Sequence, residues 1–329
     1  MKVLLTGAGG FVGSHILDCL HERGIATAAL VRPGSQLRYS TYPPASSPAL
    51  EIRTGSLEDS SSLRKAMSGI THVIHCAGAT KACRLADFFS VNQIGIRNLV
   101  EAANAERQSV RRFILISSLA AAGPAMPAQP ARETDPPQPV SVYGRSKLAG
   151  EVELRINCQV EHVILRPPAV YGPRDTEFIR MFRAVKRHLL PRPGNRQPLS
   201  LVYVRDLAES VVACLDHPAA AGKTYFVASP EVVTAHAMAR VIAQCMNSWT
   251  APLPVPTLLL WFLCLIGEIG TRLTRKANVL SLQKFPELRA PGWVCDASRL
   301  QQELGFVCST NLRSGIGQTL KWYQEQHWL

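Results

Sequence analysis

None of the nine cysteines in this 329-residue chain stands in a C-x-x-C pair; they are odd in number and scattered from position 19 to position 308. That pattern indicates neither a zinc site nor a disulfide framework, and the thiols read as small core residues of a protein kept in a reducing cytoplasm. Long hydrophobic runs are also missing. The longest, within 253–267 (LPVPTLLLWFLCLIG), holds about 10 consecutive apolar residues against the ~20 that a bilayer-spanning helix requires. Met1 leads straight into Val3-Leu4-Leu5, too short a run for a signal peptide and closed by glycines, so secretion is not expected. Acidic residues are few, 24 against 36 Lys and Arg, which leaves a formal charge of +12. The basic residues nevertheless come singly or in pairs such as Arg111-Arg112, with no basic stripe interleaved with aromatics. Nucleic acid is therefore not an expected partner, and the charge reads as a solvated surface that also draws anionic ligands. No internal repeat is visible. His72, His75 and Cys76 lie close together, but on an expected buried strand, where a core or cofactor-lining role outweighs metal binding. No metal site is predicted.

What is present is a globular composition, 47% hydrophobic and 18% charged, sufficient for a sizeable core in one large or two joined domains. Short β-rich runs at 2–6, 27–31, 51–54, 71–75, 112–117 and 160–165 alternate with helical patterns at 11–22, 60–67, 87–105 and 142–156. Such alternation predicts an α/β fold, a doubly wound parallel sheet wrapped by helices. Beyond about residue 171 the pattern is irregular, with helix signals at 205–215, 234–246, 257–273 and 312–326 and strand signals at 201–204 and 224–227. Two proline-rich loops, 33–48 and 123–139, interrupt the first half; each reads equally as a surface excursion or as a flap over a cleft.

The first strand runs into Thr6-Gly7-Ala8-Gly9-Gly10-Phe11-Val12-Gly13 and then a helix, the context a dinucleotide fingerprint requires. Gly7 permits the tight turn, Gly10 lets a pyrophosphate approach the backbone, and Gly13 lets helix and strand pack closely, with the phosphates on the helix N–H groups. The spacing is G-x-x-G-x-x-G. The expected second strand ends Leu30-Val31-Arg32, without the carboxylate that would hold the ribose diol of NAD. NADP is the predicted cofactor, with Arg32 and Arg38 on its 2′-phosphate, and NAD is the alternative. The predicted division is a Rossmann domain over 1–170, to which a strand and helix near 200–228 return, and a mainly substrate-binding domain over 171–329.

Tyr143 and Lys147, in VYGRSK, stand four apart and share one face if a helix runs there. Chance alone would supply about 0.2 such pairs in a chain of this composition, so the spacing gains meaning only from its surroundings. With the glycine turn, the chain resembles the extended short-chain dehydrogenase/reductase family, the group that includes nucleotide-sugar epimerases and dehydratases. Further landmarks fall in order along nearly the whole length: Gly55-Ser56-Leu57 with Asp59, His75-Cys76-Ala77-Gly78, Asn92, Ser117-Ser118, Arg166-Pro167-Pro168-Ala169-Val170-Tyr171-Gly172-Pro173, and Tyr203-Val204-Arg205-Asp206. The resemblance implies cofactor contacts from Phe11, Val12, Ser56, Leu57, Ala77, Gly78, Asn92, Ser117, Tyr143, Lys147, Pro167 and Val170. It also implies a catalytic set. Lys147 holds the nicotinamide ribose and lowers the Tyr143 phenol from about 10 toward neutrality, Tyr143 is the general acid or base, and Ser118 bonds the substrate oxygen.

Departures from the sugar-nucleotide members bear on the substrate. Ala169 stands where those enzymes place an Asn, Leu199 where they place an Arg, and Lys284-Phe285-Pro286-Glu287-Leu288 where an Arg precedes Pro-Gly-Asp. Arg174, Arg192 and Arg196 lie nearby as substitutes. The stretch SSLAAAGP is similar instead to the 3β-hydroxysteroid dehydrogenase-like branch, whose members act on hydrophobic alcohols and ketones. The apolar run after Pro256, followed by Arg272, Arg275 and Lys276, suits a lid over an apolar pocket, a helix in a membrane interface (253–276), or a dimer or core helix. The expected activity is hydride transfer between NADP(H) and a secondary alcohol or ketone of a steroid- or terpenoid-like small molecule. The alternatives are an NAD-dependent epimerase or dehydratase of a nucleotide sugar, and a non-catalytic dinucleotide sensor. The resemblance also implies a homodimer through helices near 87–105 and 142–156. The location expected is cytoplasmic, with membrane association open.

Overall fold

The computed structural model describes residues 1–37, 39, 50–193, 197–274 and 281–329. Arg38, Arg196, Arg275, Lys276 and most of the loop 33–48 lie outside the described residues, as do the side chains of Arg192 and Arg272. The first half runs β1 (Lys2–Thr6), α1 (Phe11–Glu22), β2 (Ala26–Val31), β3 (Leu50–Thr54), α2 (Ser60–Ala66), β4 (His72–His75), α3 (Leu85–Phe89), a π-helical turn (Ser90–Ile94), α4 (Gly95–Ala105), β5 (Arg112–Ile116), α5 (Leu119–Ala122), α6 (Val142–Asn157) and β6 (Glu161–Arg166). There follow β7 (Ala169–Tyr171), α7 (Ile179–Lys186), β8 (Leu189–Pro193), β9 (Pro198–Tyr203), α8 (Val204–Ala213), β10 (Lys223–Phe226), β11 (Val232–Thr234), α9 (Ala235–Cys245), β12 (Ala251–Val255), α10 (Thr257–Thr274), α11 (Phe285–Arg289), α12 (Ser298–Leu304) and α13 (Leu312–Glu325).

Seven parallel strands form the main sheet in the order β10-β6-β5-β4-β1-β2-β3. Successive strand side chains point to opposite faces, and in a sheet covered on both faces each must be apolar. Val3 and Leu5 of β1 and Ile114 and Ile116 of β5 accordingly join one core with Ile16 and Leu20 of α1 and Leu207 and Val211 of α8. Leu4, Phe113 and Leu115 join the opposite core with Leu63 of α2, Leu99 and Val100 of α4 and Leu154 of α6. The order reverses at β1, between β2 and β4, which opens a crevice at the carboxyl ends of the strands.

The later chain adds two small sheets. One is β11-β9-β7 and the other pairs β12 with β8. A third core gathers Tyr171, Phe182, Tyr203, Ile316 and Tyr323 against the first of these. Strand β10 joins the edge of the main sheet and α8 packs on α1, whereas β9 stays in the smaller sheet. The loop 123–139 is pinned down along its length. Ala125 N donates to Gly292 O (3.1 Å) and Ala131 N to Val294 O (3.0 Å), while Glu133 Oε1 accepts from Phe226 N (2.9 Å).

One regular element departs from expectation. The helix expected over 87–105 is broken by the π-helical turn, which carries Asn92. A β-carbon on Gly150 of α6 would lie 2.1 Å from Asn92 O, so α6 presses directly on this turn. Wide turns of this kind recur at functional sites.

Candidate active site

The turn after β1 is shaped by contacts that no side chain would permit. Gly7 has φ +77°, and a β-carbon there would sit 2.6 Å from Ala77 N; one on Gly13 would lie 2.1 Å from Gly7 O. Gly10 differs, since a β-carbon on it would meet only Gly7 O, at 3.2 Å. Its bareness leaves open the approach to the start of α1, where Gly10 caps the helix without a side chain and no acidic residue occupies the first turn. Backbone N–H groups and the positive helix end are therefore free to meet an anion, which fits the pyrophosphate of a dinucleotide. Phe11 and Val12, half-buried, open that first turn.

Around this turn the other predicted residues converge from the carboxyl ends of the strands. Thr6 Oγ1 accepts from Ala77 N (3.2 Å) and bonds His75 Nδ1 (2.8 Å). His75 is fully buried, and desolvation followed by the nearby Lys147 charge lowers it to about 3, so its ring is neutral. Asn92 is also buried. Its amide donates to Ala79 O and Ser146 Oγ and accepts from Ala79 N, each at 2.9 Å, which fixes the strand end at Gly78. Ser56 and Leu57 follow β3, where Leu57 O holds Asn98 and the Leu57 side chain packs on Gly95. Pro167 is buried and accepts from Leu119 N (2.8 Å), and Val170 lies half-buried on β7. Arg32 is exposed just past the end of β2, at the same edge of the sheet.

The catalytic candidates meet above this floor. Ser141 caps α6, so Tyr143 lies in the first turn and Lys147 one turn deeper on the same face. Lys147 is buried and donates to Ile116 O at 2.7 Å. Desolvation lowers it to about 8, which leaves it mostly cationic at neutral pH. A lysine ammonium has three donors, so two remain beyond the bond to Ile116 O. Tyr143 is half-buried. Desolvation pushes its phenol up to about 12, the hydrogen bond with Ser118 opposes this, and the charge of Glu287 adds to it. The expected drop toward neutrality is therefore not present: burial dominates the Tyr143 phenol, and the Lys147 ammonium is turned to Ile116 O.

A buried ion pair that the sequence reading did not single out underlies this set. Glu151, wholly buried, receives Arg166 Nε (2.9 Å) and Nη2 (2.6 Å), and Ser117 Oγ donates to it at 2.5 Å. The Ser117 hydroxyl thus braces the ends of β5 and β6 against α6. The signal was available, since Tyr143, Lys147 and Glu151 recur every four residues along one helix face.

On the substrate side, Ala169 is exposed and Leu199 packs against the third core. Arg174 is buried and paired with Asp18 at 2.7 Å, so it stands committed to α1 and does not offer itself to a substrate phosphate. Helix α10 turns much of its apolar surface outward, with Leu258 67% and Ile266 63% exposed alongside Leu259, Trp261, Phe262, Leu263 and Ile269. That face suits neither a core helix nor the lining of a closed pocket. No helix among the described residues is long and apolar enough to cross a membrane, and none of them forms a cluster of three or more metal-ligating side chains.

Comparison with known proteins agrees with this architecture. Residues 3–228 match the model of the NAD dependent epimerase/dehydratase family. A ceramide reductase of Caulobacter vibrioides is 30% identical over 328 residues, covering 99% of this chain and 96% of that protein. A UDP-glucose 4-epimerase of Vibrio cholerae is 29% identical over 333 residues, covering 97% and 94%. Among solved structures, the UDP-glucose 4-epimerase of Thermus thermophilus in complex with NAD superposes with a TM-score of 0.77 at 24% identity, covering 98% of this chain and 99% of that one, which speaks to the fold. With the glycine turn, the seven-stranded sheet and the matched family model in one chain, this protein belongs to the NAD-dependent epimerase/dehydratase family and is an NAD(P)-dependent enzyme of the extended short-chain dehydrogenase/reductase type.

Proposed function

We propose that the enzyme interconverts a ketone and a secondary alcohol on an apolar, lipid-like molecule, with NADP(H) as the preferred dinucleotide. The dinucleotide supplies or accepts the hydride at its nicotinamide ring when bound. Tyr143, with its hydroxyl bonded by Ser118, gives a proton to the carbonyl oxygen or takes one from the alcohol. Lys147 holds the ribose with its two remaining donors, and its charge favours the phenolate during proton transfer. Arg32 meets the 2′-phosphate, in keeping with the absence of a carboxylate at the end of β2.

The observation that carries the substrate class is one of continuity. Residues 281–293, which reach the Tyr143 side of the site, belong to the same stretch of chain as α10, and α10 packs on α11 while presenting an apolar face outward. A lipid held in a membrane interface would meet that face first, and the basic residues Arg272, Arg275 and Lys276 follow it in sequence, where they favour anionic headgroups. The similarity to a ceramide reductase, named for a lipid, supports the same class. The enzyme is accordingly expected in the cytoplasm, resting on a membrane surface. The outer faces of α4 and of α6, the latter carrying the exposed Val152 and Ile156, are the surfaces for a homodimer, which light scattering would register as twice the chain mass.

The second reading is a nucleotide-sugar epimerase, favoured by the nearly equal identity to a UDP-glucose 4-epimerase. The two differ in net redox. Purified protein is mixed with NADPH or NADH and, separately, with long-chain keto-lipids, 3-ketosteroids, UDP-glucose and UDP-galactose, and the near-ultraviolet absorbance of the reduced cofactor is followed. Net loss of NADPH with an apolar ketone is expected. Conversion of the UDP-sugars without cofactor consumption would overturn the proposal in favour of the epimerase.

A further inference from the structure

Beyond Tyr143, Lys147 and Ser118, the site contains a second charged pair that comes from the far end of the chain. Lys284 Nζ lies 5.6 Å from the centre of the Tyr143 ring and forms an ion pair with Glu287 on α11. Glu287 is 8% exposed, and its Oε1 accepts the Ser141 hydroxyl at 2.5 Å. Ser141 Oγ in turn accepts from Gly144 N at 3.0 Å and so caps the helix that carries Tyr143. The α11 backbone is itself anchored, since Glu287 O accepts from Gln197 Nε2 and Trp293 Nε1, both at 3.0 Å. A buried carboxylate is thus clamped to the cap of the catalytic helix, and its counter-charge stands near the reacting phenol.

We propose that Lys284 and Glu287 are a positioning pair for Tyr143, in which the ammonium offsets part of the field of the carboxylate at the phenol and the carboxylate fixes α11 to the start of α6. The proposal rests on Tyr143 being the proton-transfer group. A carboxylate close to a phenol disfavours the phenolate, and a cation near the ring favours it, so the balance of the two sets how readily Tyr143 gives up its proton. The other groups around Tyr143 do not duplicate this function. Lys147, on its own helix, is bonded to Ile116 O. Cys76, from the end of β4, is a thiol that burial pushes up to about 12 and is therefore neutral. Ser118 offers a hydroxyl, and Phe88 of α3 offers a ring 6.3 Å away. Glu287 and Lys284 are the charges that α11 and the turn before it contribute.

The test is a tyrosinate difference titration of the full chain, with each protein paired with its Y143F counterpart to isolate the Tyr143 signal. In Glu287→Gln the uncancelled lysine should move Tyr143 ionisation down by about one pH unit, and in Lys284→Met the uncancelled carboxylate should move it up by about the same amount. Lys284→Arg should behave as wild type. Should E287Q fail to fold, K284M carries the same test with opposite sign, since that side chain is 37% exposed. Identical Tyr143 midpoints in wild type, E287Q and K284M would overturn the proposal and leave the pair a purely structural latch. Full ketone turnover by Y143F would instead remove Tyr143 from the mechanism, a result separate from the titration.

Discussion

Tyr143 lies near Lys147, Ser118, Glu287 and Cys76, yet among the influences on its phenol desolvation stands first and a neutral hydrogen bond second. The site as described therefore holds the proton on Tyr143, the form a carbonyl reduction consumes. Replacing Tyr143 by Phe removes that proton donor while keeping the ring, so turnover should fall about a thousandfold with dinucleotide affinity nearly unchanged, as stopped-flow or steady-state rates and cofactor fluorescence would report. The placement of individual side chains divided clearly by legibility. Tyr143, Lys147 and the glycines were readable because short-range spacing fixes which helix face or turn they occupy. Glu151 and Glu287 were not singled out, because a carboxylate looks solvated in sequence until Arg166 or Ser141 is known to face it, and Arg166 and Ser141 come from other elements. The strength of Lys147's influence was misjudged for the same reason, as its carbonyl partner Ile116 lies on a distant strand.

Most long elements with a clear period were legible within a few residues, the helix broken by the π-helical turn excepted, because burial on both sheet faces forces apolar runs and on one helix face a 3.6-residue repeat. The short ones, such as β7, β8, β11 and α11, hold fewer than two turns or a few alternations and so carry no period; they exist because tertiary neighbours complete their hydrogen bonds. At this scale the Glu151–Arg166 pair ties α6 to β6, and its burial makes a lone partner costly. Glu151→Ala should lower stability by about 3–5 kcal/mol, read from urea denaturation with native-like m-values, because Arg166 is left charged and buried. Hydropathy marked α10 but could not say which way it faces; only its packing on α11 leaves Leu258, Phe262 and Ile266 outward. Phe262→Asp with Ile266→Asp should therefore abolish sedimentation with anionic phospholipid vesicles while NADPH binding persists. Pelleting that is equal in wild type and variant would assign that face to something other than lipid.

Across the whole molecule the scattered cysteines, read at first as an absence of metal and disulfide chemistry, reappear as a pH liability. Burial pushes Cys19, Cys76, Cys214, Cys295 and Cys308 up to about 12, and raises Tyr143 and Tyr203 to about 12 as well. Each folded value lies above its unfolded one, so these groups favour the fold below about pH 9 and lose that contribution as pH rises through the folded values. Lys147, lowered to about 8, runs the other way between about pH 8 and 10.5 but is a single group. Denaturant midpoints under reducing conditions should accordingly fall steadily above about pH 9; midpoints that stay level or rise there would contradict the burial of these thiols. The doubly wound parallel sheet and the nicotinamide-dinucleotide class of cofactor followed from patterns the chain displays throughout, whereas the strand order came only with the structure, and the substrate class is proposed from what α10 and α11 bring toward Tyr143. The most direct measurement follows the hydride itself, with NADPH deuterated at the transferable nicotinamide position and an apolar ketone as acceptor. Deuterium should appear at the carbinol carbon of the product with wild type and not with Y143F. No deuterium transfer to any apolar ketone, together with interconversion of UDP-glucose and UDP-galactose and no net cofactor loss, would contradict the account.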